Sequence, residues 1–538
     1  MEKKRYLGAM IDCSRNAVMH VTAVKGLLDK LALMGYNTFM LYTEDTFEVN
    51  NEPMFGYLRG RYSKAELKEI DEYAYKLGIE VIPCIQTLAH YDRLFQWPVY
   101  QKIHDMRDVL LADNERTDEL LENLFSTCEE CFRSRTIHIN MDEAHWLGLG
   151  KYLTQNGYHD RFEIFTRHLT KVCAMAEKHG FKPMMASDMF FRLIYDGEYY
   201  GSGREVPQWV RDKIPENVDM VYWDYYHIGK ATYNDYIQQH KALNRPIWFY
   251  GGAWKWIGFH AGNERTFIRT KPALQACAEN GIDNIILSLW GDNGNETPIY
   301  AVLPCLVYAA ECAKGNYDIE HSKKKFKELF DEEWDDFILF DMLLPNPKAK
   351  EKYENGSKNM LYCDCFLGKF DSGVFGDGRE CRDFKAYIKR FAKAKKRSKN
   401  FAYLFEMYEN FCKVMSVKYD LSYRTRKAYQ EKDEATLKSL LVDYKKCIKN
   451  VEVFLETFRK AWYHDNKPHG FDVQDIRLGG LLQRLKSCLA RLTAYVNGEI
   501  DVIEELEEKM QNYYEEESWN GIPVIGYNYI DAATVNAL

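Results

Sequence analysis

Short apolar runs and longer helical patterns alternate through the first 290 residues of the chain. Eight β-rich runs fall at 6–12, 37–43, 79–85, 136–141, 182–188, 218–224, 245–251 and 284–290. Between them lie patterns such as 21–34, which sets Leu27, Leu28, Leu31 and Met34 on one face and stops at Gly35, a residue that accepts the left-handed conformation closing a helix. Strand alternating with helix implies parallel pairing, because each helix carries the chain back to the same end of the sheet. Eight such repeats predict an α/β fold of the closed (β/α)8 or TIM barrel type, with a doubly wound open sheet as the structural alternative.

A barrel of this kind carries its site at the C-terminal ends of its strands. The polar and aromatic residues gather there. Arg15 follows the first run, Glu44 and Asp45 the second, Gln86 and His90 the third, and Asp142 and Glu143 the fourth. Asp188 ends the fifth, Asp224, Tyr225 and Tyr226 follow the sixth, Trp254 the seventh, and Trp290 with Asp292 the eighth. After about residue 345 the pattern changes. Pro345 and Pro347 mark a break, and charged amphipathic helices are predicted over 382–397, 400–429, 435–462 and 473–495. The expected division is a barrel over 1–345 and an all-α C-terminal domain over 346–538 packed on it. The aromatic, irregular tail from Asn512 is expected to fold back on the protein.

Composition narrows the function classes. The 538 residues are 46% hydrophobic, as in ordinary globular chains, and long enough for one large domain and a second. Net charge is -8 and no basic run exceeds three residues (Lys323 to Lys325, Lys395 to Arg397), so no nucleic-acid partner is expected. No apolar stretch reaches 18 residues and the N-terminal apolar run is too brief for a signal-peptide core, which argues against a membrane partner. The 14 cysteines, Cys13, Cys84, Cys173 and Cys277 among them, are scattered and read as reduced thiols in a cytoplasm. The sequons at Asn295 and Asn355 are then chance matches. Cys128, Cys131, Cys363 and Cys365 could supply four zinc thiolates, but the i, i+3 spacing of the first pair fits the packed face of a helix.

The most informative residues are Asp142 and Glu143, an acid pair at the end of an apolar run. In IHINMDEAHWLGLGKY (137–152) this strand end resembles the catalytic strand of glycoside hydrolase family 20, the β-N-acetylhexosaminidases. The likeness extends over roughly residues 5 to 300 through IDCSRN, LYTEDTFEV, LRGRY, PCIQTLAH, VYWDYYH and LWGDNGNE. It is greatest to the short branch of hexosaminidase D and the GcnA-type bacterial enzymes. The α/β domain that precedes the barrel in many members has no counterpart in this sequence.

The resemblance implies a role for each matching residue. Glu143 is the general acid/base, since a departing glycosidic oxygen needs a proton. Asp142 contacts the acetamido N–H and faces the positive charge of an oxazolinium ion, the nucleophile being the substrate's own 2-acetamido oxygen. Arg15 grips O3 and O4, as suits a planar fork of donors. Asp292 accepts from O4 or O6, where many members have Glu. Trp223, Trp254 and Trp290 wall the pocket. Tyr225 or Tyr226 holds the acetamido carbonyl, with Tyr226 favoured by its spacing from Asp224. Asp188, Asp224 and His90 support these groups.

Each assignment has a plainer structural counterpart. Asp142 could cap a helix, Arg15 could pair with Asp12 or Asp45, and any single Trp or His could be core. A metal held by His138, Asp142 and His145 is conceivable by residue type, but their spacing lacks a standard helical ligand pair. The expected function is retaining, substrate-assisted hydrolysis of terminal β-linked GlcNAc or GalNAc from a glycan or glycoconjugate, without cofactor or metal, a homodimer being compatible. The alternatives are a retaining β-glycosidase using Asp292 or Asp188 as nucleophile, and a glycan-binding protein without catalysis.

Overall fold

The computed structural model describes residues 5–256, 258–343, 356–372, 383–511 and 529–536. Its contacts divide the chain into two units. The first comprises Met1–Ala253, Thr266–Trp290 and Cys305–Ser322, and the second comprises Trp254–Arg265, Gly291–Pro304 and Lys323–Leu538. The division thus does not fall at a single point near 345. Segments following the seventh and eighth strands, and residues 323–343, group with the second unit.

In the first unit the eight expected strands form one parallel sheet: β1 Tyr6–Asp12, β2 Thr38–Tyr42, β3 Glu80–Val81, β4 Thr136–His138, β5 Lys182–Ala186, β6 Asp219–Trp223, β7 Ile247–Gly252 and β8 Asn284–Leu289. The order β3-β2-β1-β8-β7-β6-β5-β4 leaves β3 and β4 at the two ends. They meet through a parallel bridge between Cys84 and His138, with Ile85 N–H donating to His138 O at 2.9 Å and His138 N–H to Pro83 O at 2.8 Å. The sheet is therefore a closed barrel. Gly8 in β1 lies opposite Thr38, and a Cβ there would collide with Ile286 of β8.

Met10, Met40, Tyr42, Ile82, Cys84, Met184, Val221, Trp248, Tyr250 and Ile286 fill the interior. Successive strand side chains alternate faces. A step of two from these positions carries Asp12, Gln86 and Trp223 to the C-terminal rim, which is how the packing of the core selects the residues of the site. The helix Val21–Met34 has the expected buried face, a His20 side-chain cap and a left-handed Gly35 with φ 90°.

The second unit contains the helices Phe384–Arg397, Ala402–Lys418, Leu421–Gln430, Glu434–Asp465 and Phe471–Val496. The single helix expected over 400–429 is two. Asp420 leaves helical geometry at φ -116°, and its carboxylate accepts from Arg424 Nε at 2.9 Å. Phe259, Phe411, Phe454 and Phe458 form a ring cluster in this unit, with neighbouring centroids 5.0–5.7 Å apart. Residues 344–355, including Pro345 and Pro347, and 512–528 of the tail lie outside the described residues. Among the described residues no helix is long and apolar enough to cross a membrane.

Candidate active site

The run expected to continue as strand to Met141 ends at His138. Asn140, Met141 and Glu143 take left-handed φ values of 52°, 66° and 52°, which pairing in a ladder does not allow. Tertiary hydrogen bonds hold this unusual stretch. Asn140 Nδ2 donates to Ile85 O at 2.8 Å, Thr87 Oγ1 to Ile139 O at 2.8 Å, and Ala186 N–H to Asn140 O at 3.0 Å. The turn sends the two acids into different surroundings.

Asp142 accepts from Gln86 Nε2 at 2.9 Å and pairs with His90 Nε2 at 3.2 Å. Burial alone would push its carboxyl up, but His90 and Gln86 prevail and hold it below the usual carboxylate range. Burial likewise pushes the His90 imidazole down, yet the Asp142 charge wins and raises it to about 10. Gln86 Nε2 also reaches the Tyr42 hydroxyl at 2.8 Å, which donates to Glu44 at 3.1 Å.

Glu143 has a side chain 41% exposed, with Arg192 Nη2 3.6 Å from its carboxylate and His90 Nε2 at 4.0 Å. Its backbone N–H donates to Asp188 Oδ2 at 3.1 Å. Asp188 is fully buried and takes Arg192 Nε at 2.9 Å. Burial pushes its carboxyl up to about 6 against the opposing Arg192 charge. This acid thus orients the Glu143 backbone and Arg192.

Arg15 lies beyond β1 with Nη1 3.5 Å from Asp12, 3.0 Å from Ser14 Oγ and 3.3 Å from Glu44. Its guanidinium stands 5.3 Å from the Tyr42 ring centroid and 5.4 Å from that of Trp290. The pairing with Asp12 anticipated as the plainer alternative is present, and Glu44 joins it. Asp45 instead binds Arg59 at 2.8 Å.

Asp224 is consumed within its own loop. It accepts from Tyr222 Oη at 2.8 Å, from the backbone N–H of Tyr226 at 3.0 Å, and from His227 Nδ1 at 2.8 Å. Trp223 stacks on Tyr225 at 5.5 Å and 21°. The Tyr225 hydroxyl reaches Ser288 Oγ at 3.4 Å, whereas Tyr226 is half-buried and its carbonyl accepts from Arg269.

Trp254 and Asp292 belong to the second unit. Trp254 is only 1% exposed. Trp256 stacks on it at 4.1 Å, and the Arg265 guanidinium lies 4.8 Å from its centroid, so protein already occupies the ring faces expected to wall a pocket. Asp292 is half-buried on the loop after β8. Arg192 escaped the sequence reading. Its signal was the i, i+4 spacing from Asp188 on a short helix, Asp188–Arg192.

His138 is buried, its Nδ1 accepting from Asn140 N–H at 2.9 Å, and burial pushes its imidazole down to about 4. Among the described residues no cluster of three or more His, Cys, Asp or Glu has metal-holding geometry. Cys128, Cys131, Cys363 and Cys365 are free, buried thiols.

Two family models match the chain. The family model "Glycosyl hydrolase family 20, catalytic domain" matches residues 5–247, and "Glycoside Hydrolase 20C C-terminal domain" matches 335–523. The chain belongs to glycoside hydrolase family 20. Hexosaminidase D of Bos taurus is 23% identical over 201 residues, covering 36% of this chain and 55% of that protein. A probable beta-hexosaminidase of Arthroderma benhamiae is 27% identical over 268 residues, covering 43% of this chain and 40% of that protein. The chain thus spans between two-fifths and just over half of these relatives. Among solved structures, the family 20 chain is similar to beta-N-acetylhexosaminidase from Bacteroides fragilis, with TM-score 0.45, 17% identity and coverage of 60% of this chain and 70% of the other. The Vibrio harveyi GH20 exo beta-N-acetylglucosaminidase gives TM-score 0.44 and 15% identity, covering 64% and 59%.

Proposed function

We propose that this family 20 protein is an exo-β-N-acetylhexosaminidase that removes terminal β-linked GlcNAc or GalNAc by substrate-assisted catalysis with retention. The observation that carries the reading is the unequal setting of two neighbouring acids. Asp142 is held as a carboxylate by His90 and Gln86, while Glu143 stays exposed. Glu143 gives its proton to the departing oxygen as the substrate's acetamido oxygen attacks the anomeric carbon. Asp142 accepts the acetamido N–H and offsets the positive charge of the resulting oxazolinium ion. Glu143, now a carboxylate, takes a proton from the water that opens this ion from the face the leaving group vacated. Two displacements at the same carbon give retention.

Arg15 binds O3 and O4 in this reading, Trp223 and Trp290 pack on the acetamido methyl and the sugar face, and Tyr226 holds the acetamido carbonyl. Asp292 is assigned to O4 or O6 through the LWGDNGNE match. His90, Asp188 and Asp224 act by positioning. A carboxylate nucleophile at Asp188 is disfavoured, because that group is fully buried between Arg192 and the Glu143 amide. The thirteen described cysteines, buried and outside any disulfide, accord with a cytoplasmic setting.

Chromogenic β-glycosides differing at C2 and C4 test the proposal. Turnover of 2-acetamido sugars with near-complete loss for 2-hydroxy sugars, and tight binding of a thiazoline mimic of the bicyclic intermediate, are the expected results. Covalent trapping of a protein carboxylate by a 2-fluoro glycoside, or comparable turnover of plain β-glucosides, would establish the carboxylate-nucleophile mechanism instead.

A further inference from the structure

The loop Gly291–Glu296, reading GDNGNE, is strained. Asn293, Gly294 and Asn295 are left-handed in succession, with φ values of 56°, 116° and 54°. Asn tolerates this region better than most residues, yet three in a row persist only where the surroundings impose them.

Three side chains of the second unit impose them. Arg477 donates through Nη1 to Asn293 O and to Glu296 Oε1, both at 2.8 Å, and through Nη2 to Asn293 Oδ1 at 2.9 Å. Lys358 Nζ donates to Asn293 O and to Glu296 Oε2, both at 2.7 Å. Gln474 Nε2 donates to Gly294 O at 2.8 Å. A side chain at 294 would strike the Arg477 guanidinium, so the glycine is needed for this approach as well as for its φ.

The cluster is buried. The Lys358 and Glu296 side chains are 1% and 0% exposed, and Arg477 is 11% exposed. Two cations face one carboxylate, and each also donates to the carbonyl of Asn293, using both its lone pairs. Burial lowers the Lys358 amine to about 8 despite the attraction of Glu296. Such an arrangement is costly to desolvate and is weak evidence for a role in stability alone. What it fixes is the Asn293–Gly294 peptide and the Asn293 side chain, immediately beyond Asp292.

We infer that Arg477, Lys358 and Gln474 are positioning residues that hold the loop carrying Asp292 and so aim that carboxylate for recognition of the sugar's O4/O6 edge. This rests on the proposed contact of Asp292 with O4 or O6. Misplacement of a substrate-holding group by about 1 Å costs as much as roughly 10²-fold in rate. Discrimination between C4 epimers should therefore depend on residues that touch no substrate.

The test is steady-state kinetics of the full chain on chromogenic β-GlcNAc and β-GalNAc glycosides. Arg477→Lys keeps the charge but loses the fork, and Gln474→Ala removes one hydrogen bond. Each is made alone and in an Asp292→Ala background, with circular dichroism and Tm to establish folding. Each single variant is expected to lower kcat/KM by roughly 10-fold and to change the GlcNAc/GalNAc ratio, with less than about 2-fold further loss once Asp292 is Ala. Should Arg477→Lys fail to fold, Gln474→Ala decides alone. Folded variants that keep the wild-type ratio while Asp292→Ala loses it, or losses that add in full to that of Asp292→Ala, would reduce the cluster to scaffolding. Wild-type kinetics of Asp292→Ala on both sugars would overturn the assignment of Asp292, and the inference with it.

Discussion

Asp142 and His90 lie 3.2 Å apart with both side chains mostly covered, and their mutual charge sets a pH window. The His90 imidazole is raised from 6.5 to about 10 in the folded protein, so its stabilising contribution is complete below 6.5 and is lost as pH rises toward 10. Asp142, held below its usual 3.8, contributes above that value and loses its contribution as pH falls. The Tm difference between wild type and His90→Gln should be largest between the two usual values and shrink on the alkaline side. A difference that grows from pH 7 to 10 would contradict the pairing. Glu143→Gln should lower turnover by roughly 10²–10⁴-fold, and by less for leaving groups that need no proton. Equal slowing for activated and unactivated leaving groups would argue against a proton-donating role. Tyr226→Phe should reduce kcat/KM on 2-acetamido substrates more than Tyr225→Phe, whose hydroxyl already faces Ser288; the reverse order would exchange their roles.

At the scale of elements, β4 is the case where pattern and structure part. The apolar run through Ile139 and Met141 reads as strand, but pairing stops at His138. Nothing in the local sequence signals the turn. Asn140 alone among its residues is at ease with positive φ, and the hydrogen bonds that hold it come from Ile85, Thr87 and Ala186, each at least 46 positions away or on another strand. Asn140→Ala would keep the strained φ and lose the bond to Ile85, which ties β4 to the closing edge of the barrel. A cost of about 1–3 kcal/mol in denaturant unfolding is expected, with activity falling as the acid pair shifts. A change below about 0.5 kcal/mol would show that the turn does not depend on Asn140. Where a helix carries its own stop, as at Gly35, the sequence boundary and the structural one coincide.

At the scale of the molecule, thirteen of the 14 cysteines are described, and all are buried thiols outside any disulfide. Burial pushes thiols such as Cys84, Cys173 and Cys277 up from 9.0, to about 12 for the first two, which leaves little thiolate at neutral pH. In the native protein a thiol reagent should therefore titrate rapidly no more than Cys381, which lies outside the described residues, and reductant should leave Tm unchanged. Rapid reaction of several thiols before denaturation would contradict this burial.

The sequence by itself determined the repeating strand and helix pattern, the eight strands, the change to helices beyond them and the acid pair, while the bridge between Cys84 and His138 decided that the sheet closes. Each of the sequence features is a local signal, written in periodicity or in a short motif. Only the tertiary structure decided which partner each acid has. Asp142 meets His90 and Gln86 from the end of β3, Glu143 meets Arg192, and Trp254 is covered by Trp256 and Arg265. It also brought Lys358, Gln474 and Arg477 onto a loop up to 180 or more positions away. Such pairings depend on strand closure and helix packing, which add the same contacts from distant positions and leave no periodic mark in the chain.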